Sequence, residues 1–405
     1  MVWPDMGLFG RLRTRMDTRL PWLRLLCVLL GLTALLSGAR LQALVDESVK
    51  RDDGARMEVT FNQPGLSGDA SDRLERRIIQ LIDQAAPGSE IRLSIYTFTR
   101  DAIARALLDA NRRGVVVHVI ADGKSLRKRR RTMTLLQSGD DAGPGLTGCE
   151  GPCVQICRSG CHGIHINHNK FVLLSALTDG SRAVVAQTSA NFTRGQHRHY
   201  NDLLVIKDDQ ALYETFLDYF ADLARRRWSP VYYRRERPGS DVVVHFFPRL
   251  FGRDPIVQAL DRVTCDDGAL IRVAHSRFDS LRGRIARRLQ GLAASGCDVH
   301  VIVREEPRRF SPGRRVMRHL SGLVTVLPYQ GEDARRNAIH TKLILIKAPY
   351  RGSKQPRHLV FTGSHNLSVT SLRLNDEVLL RIDDEDLFAA YHGFWEAILA
   401  AHEAS

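Results

Sequence analysis

The sequence predicts an α/β protein made of two similar halves that face each other. A His-x-Lys sequence opens an apolar strand twice, in segments 166–174 and 338–346. A turn that contains Ser-x-Asn follows each copy, at 189–191 and at 364–366. Side chains two positions apart on a strand point to the same face, so each copy sets one imidazole beside one amine. Two copies in the same order indicate an internal duplication.

The sequence of each half also predicts a strand, a helix and a second strand in succession. We therefore expect a mixed sheet flanked by helices in each half. Apolar spacing separates the helices from the strands, and Gly114 and Gly296 end the two helices. A duplication of about half the chain is too long for a solenoid repeat. The predicted ranges are 91–98, 101–113 and 115–120 in the first half, and 270–274, 280–294 and 299–303 in the second.

The remaining predicted elements complete the two halves. A helix over 71–84 opens the first half, and apolar helices over 212–223 and 387–399 end the two halves. Each His-x-Lys strand pairs with the strand that precedes its Ser-x-Asn turn, over 183–187 and 359–362. The segment 228–240, rich in Arg and Pro, is expected to be a linker. The predicted division is 1–39 as a signal peptide or membrane anchor, 40–230 as the first half with a Cys-rich insertion at 145–165, and 231–405 as the second half.

Residues 1–39 have the features of an export signal. Five arginines precede an apolar stretch at 25–36, and small residues follow at 37–39. This order is typical of a secretory signal peptide, so we expect a secreted, extracellular protein. The alternative is an uncleaved membrane anchor with the catalytic unit outside, since the stretch from 20 to 36 approaches the length that spans a bilayer.

Composition points to a globular protein with anionic partners. Of 405 residues, 43% are hydrophobic, which suffices for one large core or two smaller ones. The net charge is +14, and residues 1–39 hold five Arg and two Asp, so their removal leaves +11. This charge favours phosphate-bearing lipid, an anionic membrane surface or nucleic acid without choosing among them. The basic run 124–131 is interpreted as a solvated loop or helix face, and we expect a monomer.

The cysteines favour disulfides over a metal site. Four evenly spaced cysteines precede two histidines: Cys149, Cys153, Cys157, Cys161, His162 and His165. Zinc is one hypothesis, but zinc knuckles usually have two-residue gaps within a pair. In an exported chain two local disulfides are the better interpretation, with open connectivity, and Cys265 with Cys297 is a candidate third. The segment ends just before His168, so it is predicted to form a lip of the cleft.

The paired His-x-Lys and Ser-x-Asn sequences resemble those of the phospholipase D superfamily, from about 91 to 395. The resemblance implies two halves that share one active site and act on a phosphodiester. In the family an Asp follows each Lys by five residues, whereas Ser175 and Lys347 stand there in this chain. Members without this Asp exist, including those that resemble tyrosyl-DNA phosphodiesterases. The departure therefore bears on the substrate more than on the fold.

The chemistry of a phosphodiester fits the residue types in the motifs. Cleavage without a metal needs a nucleophile, a proton donor and positive charge at the non-bridging oxygens. Imidazole, with a pKa of about 6.5, can serve as nucleophile or as acid, so neither a metal nor another cofactor is predicted. The resemblance implies that His168 forms a phosphohistidine and His340 protonates the leaving group, although the residues alone leave these roles interchangeable. The candidate catalytic residues are His168, Lys170, Asn191, His340, Lys342 and Asn366.

The resemblance also implies residues that support the histidines and the phosphate. A carboxylate on the strand after each Ser-x-Asn turn would fix the tautomer of a histidine, as in the triad of serine hydrolases. Asp202 and Glu377 occupy those strands. The two motif serines, Ser189 and Ser364, are expected to support phosphate binding.

Three functions follow as expectations. The first is a phospholipase D-like phosphodiesterase that cleaves or transfers phosphodiesters, with phospholipid head groups favoured because of export and the lack of an obvious aromatic stacking array. The second is a metal-independent nuclease of the same fold, which the basic charge permits. The third is an inactive binding protein, which Ser175 and Lys347 suggest. The retention of both His, both Lys, both Asn and both acids argues against the third.

Overall fold

The computed structural model describes residues 46–50, 54–64, 72–128, 130–229, 231–266, 268–306, 311–327 and 338–403. The predicted export signal at 1–39 lies outside these ranges. No helix within them combines the length and the apolar character needed to cross a bilayer.

The described residues form seventeen strands. The strands are β1 (Asp46–Lys50), β2 (Arg56–Asn62), β3 (Glu90–Ile95), β4 (Val116–Asp122), β5 (Val154–Cys157), β6 (Lys170–Ala176), β7 (Arg182–Thr188), β8 (His199–Lys207), β9 (Arg234–Glu236), β10 (Val242–Phe247), β11 (Leu270–His275), β12 (Asp298–Arg304), β13 (Val324–Leu327), β14 (Ala338–Ile339), β15 (Lys342–Pro349), β16 (Pro356–Gly363) and β17 (Glu377–Asp383).

The five helices predicted from the sequence lie close to their predicted ranges, and the described residues form five further α-helices for which no range was predicted. The α-helices are α1 (Arg73–Asp83), α2 (Asp101–Arg112), α3 (Gly123–Lys128), α4 (Arg130–Ser138), α5 (Gln210–Arg225), α6 (Pro255–Leu260), α7 (Gly283–Ala294), α8 (Arg314–His319), α9 (Val369–Arg373) and α10 (Glu385–Glu403). Two 3-10 helices cover Arg194–Arg198 and Ser280–Arg282.

The strands form two mixed sheets with the same central order. The first runs β1-β2-β8-β7-β6-β3-β4-β5, with β14 also paired to β8, and the second runs β13-β12-β11-β15-β16-β17-β10-β9. In each sheet the strand that carries the His-x-Lys sequence is antiparallel to one neighbour of a parallel pair, β3 and β4 or β11 and β12. The prediction of two pseudo-symmetric halves with mixed sheets is confirmed.

The apolar side chains divide into a central core and two outer cores. The central core contains residues of both sheets together with α5 and α10, including Phe216 and Phe394. The outer face of the first sheet packs against α1, α2 and α4, and that of the second packs against α6, α7 and α8. Because the central core draws on both sheets, the halves share one interior, which fixes the strand ends that carry the motifs.

The predicted linker at 228–240 is partly wrong, because it contains β9. This strand pairs with β10 and forms one edge of the second sheet. Its sequence, Arg-Arg-Glu, shows no apolar alternation, and an edge strand needs only one neighbour to form. The sequence pattern therefore could not reveal it.

Three disulfides join the six cysteines proposed to pair. Cys149 bonds Cys153, Cys157 bonds Cys161, and Cys265 bonds Cys297. The prediction of disulfide bonds is confirmed. The zinc hypothesis for the cysteine cluster is wrong, because a disulfide sulfur is no longer a thiolate that could bind the metal.

Candidate active site

The two His-x-Lys sequences meet at one cleft of about 760 Å³. His168 and His340 each lie two residues before a strand, β6 or β15, and both line the cleft together with Asn191 and Asn366. Since β6 and β15 occupy equivalent places in the two sheets, the pseudo-symmetry brings their first residues to the same side. Both halves therefore contribute to one site, as predicted.

The backbone of the opposite half anchors each histidine. The N–H of His168 donates to the carbonyl of Asp376 at 2.9 Å, directly before β17. The N–H of His340 donates to the carbonyl of Tyr200 at 2.9 Å, where β14 joins β8 of the first sheet. The position of each imidazole therefore depends on both halves.

His168 is held by a carboxylate. Its Nδ1 lies 2.8 Å from Oε2 of Glu377, and because a carboxylate only accepts, the ring proton is assigned to Nδ1 and the lone pair to Nε2. Burial lowers the pKa of His168 to about 4, with Lys170 adding to the effect and Glu377 opposing it. Burial alone would raise the pKa of Glu377, but the neighbouring His168 holds that pKa below its ordinary value. The arrangement therefore presents a neutral imidazole with a free Nε2.

His340 is held by a neutral amide instead. Its Nδ1 lies 3.0 Å from Oδ1 of Asn201 and 3.0 Å from Nζ of Lys342. The amide nitrogen of Asn201 donates to the carbonyls of Gln196 and His199, which turns the oxygen toward His340. Burial, together with nearby Lys342, lowers the pKa of His340 well below its ordinary value. The two histidines thus have different electrostatic partners despite the symmetry of the fold.

The expectation that Asp202 orients a histidine is wrong. Its carboxylate accepts hydrogen bonds from the hydroxyls of Thr341 and Thr362, both at 2.6 Å, and of Tyr391 at 3.1 Å. Asp202 therefore braces the second His-x-Lys strand from behind, while Asn201 contacts His340.

A register difference of one residue explains this error. The backbone N–H of the motif serine donates to the carbonyl of Asp202 in the first half and of Val378 in the second. The equivalent of Glu377 is therefore Asn201. Successive strand residues point to opposite faces of the sheet. A shift of one position therefore turns a side chain from the face that contacts the histidine to the face that contacts the core.

The motif serines do not support phosphate directly, which corrects the expectation for Ser189 and Ser364. Both are fully buried. The hydroxyl of Ser364 donates to Oε2 of Glu377 at 2.6 Å, and that of Ser189 donates to Oδ1 of Asn201 at 3.2 Å. Each serine therefore positions the group that holds a histidine.

The two motif lysines are buried beside the histidines. Lys170 Nζ donates to the carbonyl of His168 at 2.7 Å, and Lys342 Nζ donates to the carbonyl of His340. Burial lowers the pKa of Lys170 to about 7 and that of Lys342 well below its ordinary value. An anion bound in the cleft would favour the charged form of both amines. The site is therefore suited to a ligand that carries negative charge.

The two asparagines supply amide groups to the cleft. Oδ1 of Asn366 accepts a hydrogen bond from the hydroxyl of Ser276 at 2.7 Å, which leaves its amide nitrogen as a donor. Oδ1 of Asn191 is buried and has no partner among the described residues. Both side chains line the cleft with the histidines, where a ligand can use them.

The positions that lack the family Asp lie far from the chemistry. Ser175 and Lys347 each come five residues after a motif Lys on the same strand, a distance of about 17 Å. The hydroxyl of Ser175 accepts a hydrogen bond from the backbone of Glu90 at 2.9 Å. Replacement of the Asp at these positions therefore leaves the groups around the cleft intact.

The cleft wall contains cations that sequence reasoning did not assign to the site. Lys124, Arg127 and Lys128, on or at the end of α3, line one part, and Arg277 and Arg304 of the second half line another. The helix periodicity in the basic run was the available signal, but it could not show which face met the cleft. No group of three or more His, Cys, Asp or Glu side chains in the described ranges is arranged as a metal site.

Two further histidines, His165 and His199, border the cleft, and sequence reasoning did not assign His199 to the site. The ring of His199 stacks on His340 with centroids 5.6 Å apart. Burial, followed by the charges of Arg304 and Lys342, lowers the pKa of His199 to about 3, so the ring is neutral. His199 and Asn201 are two apart on β8, and the period of a strand could have linked them to one face.

The second local disulfide fixes a loop at the edge of the cleft. The Cys157–Cys161 bridge precedes three consecutive backbone N–H groups, at 161–163, which all donate to the carboxylate of Asp376 at 2.6–3.1 Å. The same chain then reaches Ile166, which lines the cleft. Since Asp376 also anchors the backbone of His168, the loop and the histidine share one support.

Removal of the Cys157–Cys161 bridge should therefore reduce activity. We expect Cys157→Ser/Cys161→Ser to lower the turnover of a phosphodiester severalfold, because the loop then holds Asp376 less firmly. The matched control is Cys265→Ser/Cys297→Ser, whose bridge joins the outer core of the second half. It should lower the melting temperature, since a disulfide restricts the unfolded chain, but leave the turnover per folded molecule unchanged. Equal turnover in both variants would contradict this role.

Comparisons with known proteins agree with this geometry. The chain matches the family model described as "Cardiolipin synthase, PLD-like domain" over residues 78–224 and 269–398, one segment in each half. No curated protein matches the chain. Among solved structures it resembles phosphatidylserine synthase from Haemophilus influenzae, with a TM-score of 0.55, 13% identity and 90% of each chain covered.

A second solved structure is polyphosphate kinase from Porphyromonas gingivalis, with a TM-score of 0.52 and 14% identity. That match covers 85% of this chain and 50% of the kinase, so the chain spans half the length of that relative. At these identities the structural likeness concerns the fold. Because the family model covers most of both halves and both motif sets, the chain belongs to the cardiolipin synthase, phospholipase D-like domain family.

Proposed function

We propose that the chain is a phospholipase D-type phosphodiesterase in which His168 forms a covalent phosphohistidine. The observation that carries this proposal is the different partner of each histidine. Glu377 contacts His168 at 2.8 Å, whereas Asn201 contacts His340 at 3.0 Å. When Nε2 attacks phosphorus, the ring that keeps its Nδ1 proton becomes cationic. A carboxylate stabilises that cation, and an amide does so much less.

In the proposed reaction, Nε2 of His168 forms a bond to phosphorus as the bond to the leaving oxygen breaks. His340 gives its proton to that oxygen, and the negative charge of the bound diester raises the pKa of His340 relative to the empty site. Water or another alcohol then gives a proton to His340 and takes the phosphoryl group from His168. The motif lysines and asparagines bind the non-bridging oxygens.

Turnover of a phosphodiester in the presence of EDTA tests this function. We expect the purified protein to hydrolyse bis(4-nitrophenyl) phosphate at the same rate with and without EDTA, because its own imidazoles and amines supply the nucleophile, the acid and the positive charge. The release of nitrophenolate is the measurement. Loss of turnover in EDTA that one divalent metal restores would contradict the proposed chemistry, and no turnover in either condition would favour the inactive binding protein.

A surface at the entrance of the cleft favours phospholipid over nucleic acid. Five large apolar side chains of the described residues are between 49% and 72% exposed. One of them, Leu281, lies on the 3-10 helix Ser280–Arg282. The other four lie on loops and are called the entrance surface: Ile164, Trp228, Val231 and Phe251. Exposed apolar residues scattered singly are ordinary, but grouped ones mark an interaction surface.

Backbone hydrogen bonds connect the segments that carry the entrance surface. The loop with Trp228 and Val231 is joined to the loop with Ile164 by a bond from Ser229 N to His162 O at 3.0 Å. Two further hydrogen bonds connect these loops to α9. The N–H of Tyr233 donates to the carbonyl of Pro248 at 2.9 Å, and the N–H of Arg249 donates to the carbonyl of Leu372 at 2.9 Å. Because Ile166 and Ser371 line the cleft, the loops that carry the apolar side chains are connected to segments of its wall.

This combination suits the surface of an anionic bilayer. Tryptophan and other large apolar side chains insert at the boundary between lipid head groups and acyl chains, and the cleft wall supplies Lys124, Arg127 and Lys128 for phosphates. The match to the family model described as "Cardiolipin synthase, PLD-like domain" supports the same substrate class. We therefore propose phospholipid head groups as the substrate, cleaved or transferred to another alcohol, by an exported protein.

Replacement of the entrance surface should separate lipid substrates from soluble ones. We expect Trp228→Ser/Phe251→Ser to lower activity on anionic phospholipid vesicles at least about tenfold, because two interfacial anchors are lost. Turnover of bis(4-nitrophenyl) phosphate should not change. The matched control is Met317→Ser on α8, also an exposed apolar side chain. Undiminished vesicle activity in the double variant, or cleavage of plasmid DNA in preference to vesicles, would favour the nuclease.

A further inference from the structure

A second basic pocket lies at the end of the second sheet away from the cleft. Its cavity of about 230 Å³ is lined by four arginines, one tyrosine and one aspartate among others: Arg237, Arg351, Arg357, Arg381, Tyr350 and Asp383. Arg381 follows Glu377 by four positions on β17, about 13 Å along the strand. None of these six residues lines the catalytic cleft, so the pocket is a separate site.

Arg381 is the buried cation at the base of this pocket. It is 9% exposed, and its Nε has no hydrogen-bond partner among the described residues. Its Nη1 lies 3.4 Å from the hydroxyl of Tyr350, and its guanidinium lies 5.7 Å from the centre of the same ring. A buried guanidinium ordinarily pairs with a carboxylate, because the loss of hydration is costly. Here a neutral phenol is its neighbour.

The nearby carboxylates are already paired with another arginine. Arg357 forms an ion pair with Asp383 and a second one, at 3.5 Å, with Asp241. Arg237 and Arg351 contact no carboxylate in the described part of the chain, and the guanidinium of Arg351 lies 5.7 Å from the Tyr350 ring. Positive charge in the pocket is therefore not balanced by the protein.

The charges of neighbouring arginines add to the effect of burial on two arginines of this region. Burial, followed by the charge of Arg237 and then of Arg351, lowers the pKa of Arg235 beside the pocket. Burial and the charge of Arg351 likewise lower the pKa of Arg381. A bound anion would relieve this repulsion and provide the missing partner.

We propose that this pocket binds a phosphate group. The guanidinium forks of arginine match the oxygens of phosphate in pairs, which gives both strength and specificity. The cavity is smaller than the roughly 300–1,000 Å³ of pockets for drug-sized ligands, so it suits a small anion. The phosphate is supplied either by free inorganic phosphate or by the head group of a phospholipid, and both present the same chemistry to Arg381.

The test compares phosphate binding in three variants of the full chain by isothermal titration calorimetry. Arg237→Ser/Arg351→Ser removes two exposed pocket cations, and Arg381→Gln removes the buried one. Arg314→Ser/Arg318→Ser removes the same charge from the exposed face of α8 as a control. Inorganic phosphate should bind at least about tenfold more weakly to both pocket variants and with unchanged affinity to the control. Because the double variant alters exposed side chains, it keeps the test valid if Arg381→Gln fails to fold.

Two further measurements distinguish binding in the pocket from binding in the cleft and identify the source of the phosphate. Lys170→Met/Lys342→Met should leave the pocket affinity in place, because it alters only the cleft. Vesicles with anionic phospholipid should bind the pocket variants less than the control if a head group is the source, and free phosphate should compete. Equal phosphate and vesicle binding in pocket variants and control, or binding lost only in the cleft variant, would overturn the proposal.

Discussion

Replacement of His168 by Ala should abolish turnover, whereas replacement of His340 should leave a partial reaction. If His168 attacks phosphorus, His168→Ala removes the covalent route and lowers kcat on the order of 10⁴-fold or more, as the loss of a nucleophile does elsewhere. His340→Ala removes an acid, a loss of about 10²–10⁴-fold for leaving groups that need a proton. The defects should therefore differ in kind as well as in size.

The leaving group reveals that difference. With bis(4-nitrophenyl) phosphate, whose leaving group needs little protonation, His340→Ala should still release a burst of nitrophenolate. It should then accumulate phosphoenzyme, because the same residue would activate the water that hydrolyses the intermediate. Trapping in acid with labelled substrate and mapping of the modified residue measure this. Phosphate found on His340 of the His168→Ala protein would exchange the two roles, and no covalent species in any variant would favour direct attack by water.

Replacement of Glu377 by Gln should be almost as damaging as loss of His168. The carboxylate accepts the Nδ1 proton, and an amide in its place can donate to Nδ1, which favours the tautomer without a lone pair on Nε2. In a serine-hydrolase triad, the change from carboxylate to amide that favours the wrong histidine tautomer lowers kcat about 10⁴-fold. Since Glu377 also raises the pKa of His168 against the effect of burial, its loss should lower that pKa further. We expect kcat to fall by about 10²–10⁴-fold with little change in the melting temperature.

Asn201→Asp is the matched comparison on the other histidine. A carboxylate there still accepts from Nδ1 of His340, and its charge raises the pKa of that ring. An acid acts while it is protonated, so the decline of kcat at high pH should move to higher pH, with turnover at lower pH changed only severalfold. The pH profile of kcat measures this shift. If Glu377→Gln and Asn201→Asp were equally harmful, the asymmetry between the two histidines would have no part in catalysis.

The repeated motifs and the order of the elements were predictable from the sequence. Helix and strand periods follow from local backbone geometry, so apolar spacing placed the predicted elements within a few residues of their observed bounds. The spacing of His168 and Lys170, repeated in the second half, likewise set an imidazole and an amine on one face of a strand. These features depend on residues close together in the chain.

Tertiary structure decided which groups meet those residues. Whether Asn201 or Asp202 contacts His340 depends on a strand register that differs by one position, and that register is fixed by pairing with distant strands. The burial of Ser364 behind Glu377 also requires contacts across the sheet. The phosphate pocket around Arg381 gathers arginines from two strands and two loops. Local periodicity carries no information about such long-range neighbours, because they come together only when the two sheets pack into one interior.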